Sequence, residues 1–323
     1  MQAPLDYDAT AVRPAWADLP ESVRALVCRR LGSDVVDARS QRAGFTPGFA
    51  SRLICADGRR AFVKAASSRT DPAIAGCYRD EARIVAALPP GLPVPALRWV
   101  AEDEDWVVLC FADVPGHPPR RPWLRPELDR LLDVVAELAA ALSPAPAGLR
   151  VPAMAEVLAG DLSGWRSLHD AGAELTGLLG GGDWVAREVE NLMELEAEAL
   201  TGCAGDTLAH LDLRPDNVIV ADDGRVYVCD WNWACTAAPW VDLVCLLPSA
   251  FADGFDAQAL LAAHPAGRTA APRAVDALLA ALAGYYAQAS RKPPVPTSPS
   301  LRAHQRAYGT ATLGWLRQRV EGL

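Results

Sequence analysis

The sequence has no apolar run long enough to cross a bilayer. A transmembrane helix needs about 20 consecutive, mostly apolar residues, and no segment of the 323 residues reaches that length. The first residues, Met1–Asp8, contain two acids, no basic residue and no apolar stretch, unlike a secretory signal. These absences predict a soluble cytoplasmic protein that does not bind membranes.

Clustered positive charge is also missing. Lys and Arg total 31 against 40 Asp and Glu, which gives a formal charge of -9 and a pI near 5.1. Nucleic-acid binding needs groups of cationic side chains for the phosphates, so nucleic acid is excluded as the main partner. The acidic excess lies in residues 113–323. It indicates either solvated helix faces or a field that attracts a cationic ligand.

Patterns for zinc sites and disulfides are absent. The eight cysteines are scattered, without a C-x-x-C pair and without a histidine at zinc-ligand spacing. Several of them, such as Cys110, lie inside apolar runs. The sequence therefore predicts buried free thiols in a reducing compartment.

Lysine is nearly absent, because 29 of the 31 basic residues are arginine and the two lysines are Lys64 and Lys292. The sequence therefore uses arginine at nearly all positions where lysine or arginine would be equally suitable. Lys64 nevertheless lies inside the apolar segment Ala61–Ala65. A lysine at this place indicates a specific role, the alternative being an edge-strand lysine that faces water.

Hydrophobic patterning predicts an antiparallel sheet with an inserted helix over residues 1–112. Helical spacing of apolar residues occurs over 18–31 and 73–88. The dipeptide Asp57-Gly58 is a strong hairpin signal. Strands are predicted at 35–41, 51–55, 60–66, 96–101 and 106–111.

Residues 113–323 are predicted to form a second, mostly helical lobe. The proline-rich stretch Pro115–Pro126 is a candidate hinge. A β-rich island at 206–230, with a hairpin signal at Asp222–Gly224, interrupts the helices. The helices are predicted at 126–142, 154–179 with breaks, 183–200, 239–251, 272–289 and 301–321. The fold class is therefore α+β with two lobes.

The densest group of polar residues lies in this island. Pro215 keeps its loop from being helical, so the Asp212 carboxylate and the Asn217 amide can point to one place. The following hairpin returns Asp230 towards the same place. Oxygen ligands such as those of Asn217 and Asp230 are typical of Mg²⁺ sites. Asp212, free of metal, is then available to accept a hydroxyl proton.

This pattern resembles the aminoglycoside phosphotransferase family, which has a bilobal protein-kinase-like fold. His210-x-Asp212-x-x-x-x-Asn217 is similar to the family's catalytic-loop motif, and Asp230 to its metal-binding aspartate. The resemblance covers roughly residues 35–320, with the motifs in the expected order. It implies a kinase that uses ATP, or alternatively GTP, with Mg²⁺ held by Asn217 and Asp230 and with Asp212 as catalytic residue.

The resemblance also assigns nucleotide contacts to the first lobe. Lys64 looks like the strand lysine that contacts the α- and β-phosphates, and Glu81 looks like its ion-pair partner, although Asp80 is adjacent. Backbone groups between Leu109 and Phe111 are expected to hydrogen-bond adenine, where the two lobes join.

The loop 43–50 lies where a kinase covers the phosphates. Gly44, Thr46 and Gly48 are the candidate contacts. The loop departs from the G-x-G-x-x-G spacing of protein kinases, which leaves its phosphate contacts undefined. An ordinary hairpin loop is the alternative.

Four further residues lie on or near the catalytic loop. Two of them are expected to support the loop, and the other two have alternative roles. His210 is expected to brace the loop from behind rather than to act as a base. Arg214 either stabilises charge on the transferring phosphoryl group or forms a surface salt bridge. Asp242 is expected to cap or brace the loop, and Asp216 to be solvated or to cap it.

The resemblance implies a small-molecule hydroxyl as acceptor. An antibiotic is the favoured class, with a choline-, homoserine- or thiosugar-type metabolite as the alternative. The helices around 154–200 are expected to form the acceptor wall, and their ten acids against two arginines suit a cationic molecule, unless these acids face water. Monomer and homodimer both remain open.

Two other functions are disfavoured. A protein kinase would have D-F-G and A-P-E motifs, whereas Asp230-Trp231-Asn232 replaces the first and the second is missing. A non-catalytic nucleotide-binding protein would be expected to have lost Lys64, Asp212 or Asp230, and all three are present.

Overall fold

A computed structural model describes residues 10–103 and 105–322 of the chain. The segment Met1–Asp8, for which no signal pattern is predicted, lies outside the described residues. The first lobe contains helices α1 (Glu21–Leu31) and α2 (Pro72–Ala87) and strands β1 (Val35–Ser40), β2 (Phe49–Cys55), β3 (Arg60–Ser67), β4 (Leu97–Glu102) and β5 (Trp106–Ala112).

The five strands form one antiparallel sheet with the order β1-β2-β3-β5-β4. Helix α1 packs on one face and α2 on the other. Because side chains alternate along a strand, Val63 and Ala65 of β3 face α1, whereas Phe62 and Lys64 lie on the side of α2. This alternation places the lysine on the sheet face that borders the second lobe.

The second lobe is built around α9. Its helices are α3 (Arg125–Ala141), α4 (Met154–Leu158), α5 (Gly164–Asp170), α6 (Trp184–Gly202), α7 (Val241–Ala252), α8 (Ala257–Ala263), α9 (Pro272–Ala289) and α10 (Leu301–Glu321). Its strands are β6 (Gly116–His117), β7 (Thr207–Ala209), β8 (Val218–Ala221), β9 (Val226–Val228) and β10 (Cys235–Ala237). Helix α9 packs against α5, α6, α7 and α10, and nearly all of its apolar residues are buried.

The predicted α+β class and the two-lobe kinase-like architecture are confirmed. The long predicted helices are present, and most of their ends lie within two residues of the expected ones. Helix α1 begins three residues later than predicted, and the segment 154–179 contains α4 and α5, of which α5 already ends at Asp170. The predicted hairpins at Gly58 and Gly224 have the left-handed glycine that such turns require. Helix α8 and the short strands β6 and β10 were missed. Strands of two or three residues carry too little periodicity for sequence patterns to show them.

The cysteines are unpaired in the structure, as the sequence predicts. All eight cysteines are free, and five of them are buried, including Cys110 on β5. No helix in the described part of the chain is both long and apolar enough to span a bilayer.

A close approach of α5 and α9 fixes the inner helices of the second lobe. At Gly164 an added Cβ would lie 2.1 Å from the carbonyl oxygen of Gly284. The carboxylate of Glu196 on α6 accepts hydrogen bonds from the backbone N–H groups of Trp165 (3.0 Å) and Arg166 (2.8 Å), at the start of α5. Glycine therefore lets two backbones touch, and a buried acid satisfies the free N–H groups of the helix end.

We expect Gly164→Ala to lower the free energy of unfolding by about 1–3 kcal/mol, because the new methyl group forces α5 away from α9. Urea unfolding followed by circular dichroism measures the change. Gly160→Ala is the matched control, since no atom lies within 4 Å of its added Cβ. Equal stability of the two variants would contradict the close approach.

Candidate active site

Three ionic side chains meet where the lobes face each other. Lys64 Nζ on β3 lies 2.8 and 2.7 Å from the two carboxylate oxygens of Glu81 on α2, and 2.9 Å from Oδ1 of Asp230. Asp230 follows β9, so the ammonium group connects the two lobes. The edge-strand interpretation of Lys64 is wrong, because β3 is the middle strand and Lys64 is buried. Asp80 instead pairs with Arg83 at the surface.

The mutual attraction of these groups determines their charge. Burial opposes protonation of Lys64, but Asp230 and Glu81 outweigh it, so its pKa is raised. Burial raises the pKa of Glu81 to about 7, against the opposing attraction of Lys64. Burial by itself would raise the pKa of Asp230, but the charge of Lys64 outweighs burial and lowers the pKa of that carboxyl below its usual value. The centre thus combines a protonated lysine with an ionised Asp230.

Asp242, at the start of α7, holds the loop that precedes Asp212. Its carboxylate accepts hydrogen bonds from the backbone N–H groups of His210 (2.7 Å) and Leu211 (2.8 Å). Leu211 has a φ of 65°, a left-handed conformation that costs energy for a residue other than glycine. The two hydrogen bonds therefore stabilise a strained turn. Asp242 lies behind the loop, where the sequence predicted a brace.

The ring of His210 also lies behind the loop. Its Nε2 is 2.9 Å from the carbonyl oxygen of Cys229, just before Asp230, and its ring meets Trp231 edge-on. The other ring nitrogen accepts from the backbone N–H of Asp212 at 3.3 Å. His210 thus joins the two segments that carry Asp212 and Asp230, which is the position predicted for a bracing residue.

Asp212 and Arg214 form an ion pair at the cleft. Arg214 contacts Asp212 Oδ1 through Nη1 and binds both oxygens of Asp216 at 3.1 and 3.0 Å. The pair is not a surface salt bridge, because 15% of the Arg214 side chain is exposed. The prediction of a solvated Asp216 is wrong, since its carboxylate is fully covered by this contact (0% exposed).

Asn217 holds the second oxygen of Asp212. Its Nδ2 donates to Asp212 Oδ2 at 3.0 Å and to the Asp212 carbonyl oxygen at 2.8 Å. Burial raises the pKa of Asp212, while Arg214 pulls it in the opposite direction. A carboxylate with a raised pKa is a stronger proton acceptor near neutral pH.

Asn217 and Asp230 leave two oxygens available for a cation. Neither Asn217 Oδ1 nor Asp230 Oδ2 has a hydrogen-bond partner in the described part of the chain, and both residues line the cleft. An amide oxygen and an ionised carboxylate fit Mg²⁺, which usually takes few protein ligands and completes its shell with water and phosphate oxygens. No cluster of three or more acidic, His or Cys side chains suited to a metal occurs among the described residues.

The loop 43–50 borders the cleft with some of its predicted residues. Gly44 and Thr46 line it. Gly48 is not among the cleft residues, because it packs under Tyr78, whose hydroxyl would lie 2.4 Å from an added Cβ. Gly48 therefore permits a close packing contact and is not placed for a ligand, contrary to its predicted position.

Arg13 is a cleft residue that sequence reasoning missed. Its Nη1 donates to the carbonyl oxygen of Gly48 (2.9 Å) and its Nη2 to that of Ala43 (3.0 Å), so it holds both ends of the loop. No carboxylate of the described residues forms an ion pair with it. Arg13 precedes α1 in a segment without periodicity, so the sequence carried no signal for it.

The prediction for the segment between the lobes requires a correction. Leu109 is fully buried inside the sheet, opposite Lys64 of β3 and Val100 of β4, so its backbone is not exposed to a ligand. Phe111 does line the cleft, but with its ring. The exposed backbone lies further on, after β5 ends, where Val114 lines the cleft and has no backbone hydrogen bond among the described residues.

A second cavity, of about 230 Å³, borders the other side of Asp212. Its walls come from the segments 154–162, 278–286 and 301–305, together with Phe45 and Trp233. Of the ten acids in residues 154–200, Asp161 lines it and the other nine do not. Of the region 154–200 predicted to form the acceptor wall, residues 154–162 line this cavity and the rest does not, because α6 packs against α9 and its buried Glu196 caps α5.

The family can now be assigned from comparison with known proteins. Residues 49–278 match the model of the phosphotransferase enzyme family, APH. The chain belongs to this family. The resemblance predicted from the catalytic-loop motif is thereby confirmed, and a search of curated proteins gives no match to this phosphotransferase.

Solved structures of kinases resemble the phosphotransferase over nearly its whole length. Choline kinase LicA from Streptococcus pneumoniae is 13% identical, with a TM-score of 0.60, over 90% of this chain and 98% of that one. Spectinomycin phosphotransferase APH(9)-Ia, crystallised with ADP and spectinomycin, is 12% identical, with a TM-score of 0.58, over 95% and 99%. An aminoglycoside phosphotransferase from Alicyclobacillus acidocaldarius is 20% identical, with a TM-score of 0.54, over 100% and 98%. At these identities the likeness establishes the fold.

His304 lines the second cavity of this phosphotransferase and makes the stability of the folded chain depend on pH. The residue is buried against the rings of Phe45 (4.7 Å) and Tyr308 (5.4 Å). Burial, supported by the charge of Arg214, lowers the pKa of His304 to about 3. An unfolded histidine titrates near pH 6.5. Below that pH the unfolded chain therefore binds a proton that the folded chain does not, and stability falls as the pH decreases.

We expect His304→Gln to lose less stability than the wild type on acidification. Between pH 6 and pH 4 the wild-type free energy of unfolding should fall by about 1 kcal/mol per pH unit more than that of the variant. Urea unfolding at several pH values measures both slopes. His169→Gln, at an exposed histidine of α5, is the control and should follow the wild type. Identical slopes for wild type and His304→Gln would contradict the buried neutral ring.

Proposed function

We propose that this phosphotransferase transfers the γ-phosphate of ATP, with Mg²⁺, to a hydroxyl group of a small molecule. The observation that carries the proposal is the meeting of two cavities at one point. The cleft that contains Lys64 and Asn217 and the cavity that contains Asp212 share Thr46 and Asp230 in their walls. A phosphate donor in one and an alcohol in the other would therefore face each other at Asp212.

The cleft suits a nucleoside triphosphate at both of its ends. Lys64 and Arg13 supply positive charge where the phosphates would lie, and Arg13 has no ionic partner of its own among the described residues. The backbone of Val114, which lines the cleft as Phe111 does and has no backbone hydrogen bond among the described residues, would hydrogen-bond a purine. Backbone groups of this kind accept either adenine or guanine, so GTP is the alternative donor.

Asn217 and Asp230 would hold the metal through the two free oxygens described above. Bound there, Mg²⁺ supplies positive charge that orients the phosphates and neutralises their developing charge. Lys64 fixes the position of Asp230, and Asn217 fixes that of Asp212. The same residues thus position the metal ligand and the base relative to each other.

Asp212 acts as the base in the proposed reaction. The acceptor hydroxyl gives its proton to Asp212 while its oxygen bonds to the γ-phosphorus, and the bond from that phosphorus to the bridging oxygen of ADP breaks. Arg214, which contacts Asp212, would stabilise charge on the transferring phosphoryl group. Positioning and charge neutralisation account for most of the lowering of the barrier.

The acceptor class is proposed from the family and its structural neighbours. Spectinomycin, an antibiotic, is the acceptor named for one neighbour, and choline kinase is the name of another. We propose an antibiotic hydroxyl, phosphorylated in the cytoplasm as a resistance reaction. The alternative acceptor is a metabolic alcohol of the choline type, and an assay with both classes of compound distinguishes the two.

We expect Mg²⁺- and acceptor-dependent release of ADP when a panel of hydroxyl-bearing antibiotics and metabolic alcohols is assayed with ATP or GTP. Asp212→Asn should lower kcat by a factor of about 10²–10⁴, the usual contribution of a positioned base. Asp222→Asn, in the exposed β8–β9 turn, is the matched control and should retain full activity.

Nucleotide binding by calorimetry shows whether Asp212→Asn is still folded. Turnover that does not change in Asp212→Asn would contradict the proposed role of this residue. Absence of any acceptor-dependent or acceptor-independent ADP release in the wild type, with nucleotide bound, would contradict the proposed kinase activity.

A further inference from the structure

The cavity beside Asp212 is mostly apolar. Leucine and methionine side chains of the segments 154–162 and 278–282 form its walls, and Phe45 of the loop 43–50 covers it from the first lobe. Phe45 is held there by its carbonyl oxygen, which accepts from Ser298 Oγ at 2.6 Å, and by its ring, which contacts His304. An acceptor in this cavity therefore needs an apolar body.

One acidic side chain in the cavity wall has no ion pair among the described residues. Asp212 is paired with Arg214, and Asp230 is paired with Lys64. Asp161, in the turn between α4 and α5, lines the same cavity and forms no ion pair with any described residue. Asp161 is exposed to solvent as well as lining the cavity, so a cationic group in the cavity can reach its carboxylate.

Trp233 is a second exposed residue in the wall of this cavity. The residue is about half exposed (48%), and it is the one aromatic residue among the exposed large apolar residues of the described chain. It follows Asp230 by three positions and lines the cavity. An exposed indole face binds apolar surface and attracts ammonium groups.

Asn232 adds a polar contact between Asp230 and Trp233. Its Oδ1 is buried without a hydrogen-bond partner in the described part of the chain, and the residue lines the same cavity. A buried acceptor without a partner costs free energy unless a ligand supplies a donor. One N–H or O–H donor therefore fits here.

We propose that the acceptor is an alcohol with an apolar body and a single ammonium group, which lies between Asp161 and Trp233 while its hydroxyl reaches Asp212. This rests on the proposed kinase function and adds the chemical class of its acceptor. A polycationic acceptor fits poorly, because the other acids of residues 154–200 do not line the cavity. Its further ammonium groups would lie against leucine side chains, where an unpaired charge is costly.

Binding of three matched probes tests the proposal without requiring turnover. The first is a phenylethanol that carries a dimethylamino group, and the second is its neutral isostere, in which CH replaces the nitrogen. The third is an aminoglycoside with at least four amines. Calorimetric titration is carried out on the full chain with Mg²⁺ and adenylyl imidodiphosphate bound, in wild type, Asp161→Asn and Asp170→Asn. Asp170 is an exposed acid at the end of α5 that does not line the cavity.

We expect the monoamine to bind about fivefold more tightly than its isostere, as for one exposed charge pair. Asp161→Asn should remove this difference, whereas Asp170→Asn should preserve it. Trp233→Ala should weaken both the monoamine and the isostere, since both contact the indole.

Three results would overturn the proposal: no binding of the monoamine, equal binding of monoamine and isostere to the wild type, or tighter binding of the aminoglycoside. None of these depends on phosphoryl transfer. The assay of ADP release with Asp212→Asn judges the kinase function separately, so the acceptor class can fail while the kinase function stands.

Discussion

The Lys64 ammonium group is the contact on which the rest of the site depends. A charge buried in an apolar sheet is stable only when opposite charges lie beside it, and Lys64 takes one from each lobe, Glu81 on α2 and Asp230 after β9. This requirement fixes the side of β3 on which the lysine lies and the place to which the β8–β9 hairpin returns the chain. It also lowers the pKa of Asp230, which keeps this carboxylate ionised for its proposed role as a metal ligand.

The second lobe supplies rigidity where the proposed chemistry needs it. Asp242 holds the strained turn at Leu211 through two backbone hydrogen bonds, and Asn217 holds the carboxylate of Asp212. The close contact between Gly164 and Gly284 fixes α9, which carries part of the second cavity, the proposed acceptor site. Phosphoryl transfer depends on positioning, so small errors in these supports are expected to cost rate as well as stability.

Sequence patterns were sufficient to predict which polar residues lie close together where all of them belong to one loop or to the hairpin that follows it. Asp212 and Asn217 lie on one loop and Asp230 at the end of the next hairpin, so their meeting could be predicted, and a lysine in an apolar strand pointed to Lys64. The walls of the second cavity, the unbonded backbone at Val114 and the loop contacts of Arg13 could not be predicted in this way. They depend on which helix packs against which, and on where a strand ends by one or two residues. Helical periodicity places Glu196 on a face of α6 but does not show that this face caps α5.

Calorimetric titration of Mg²⁺–ATP into Lys64→Gln tests most directly whether Lys64 organises the nucleotide site. Lys292→Gln, at the exposed second lysine, is the matched control, and Glu81→Gln serves as a milder variant that keeps the ammonium group. We expect affinity to fall at least about tenfold in Lys64→Gln, by a smaller factor in Glu81→Gln and not at all in Lys292→Gln, as for loss of a charge-assisted phosphate contact. Wild-type affinity in a folded Lys64→Gln variant would contradict the central place given to this lysine.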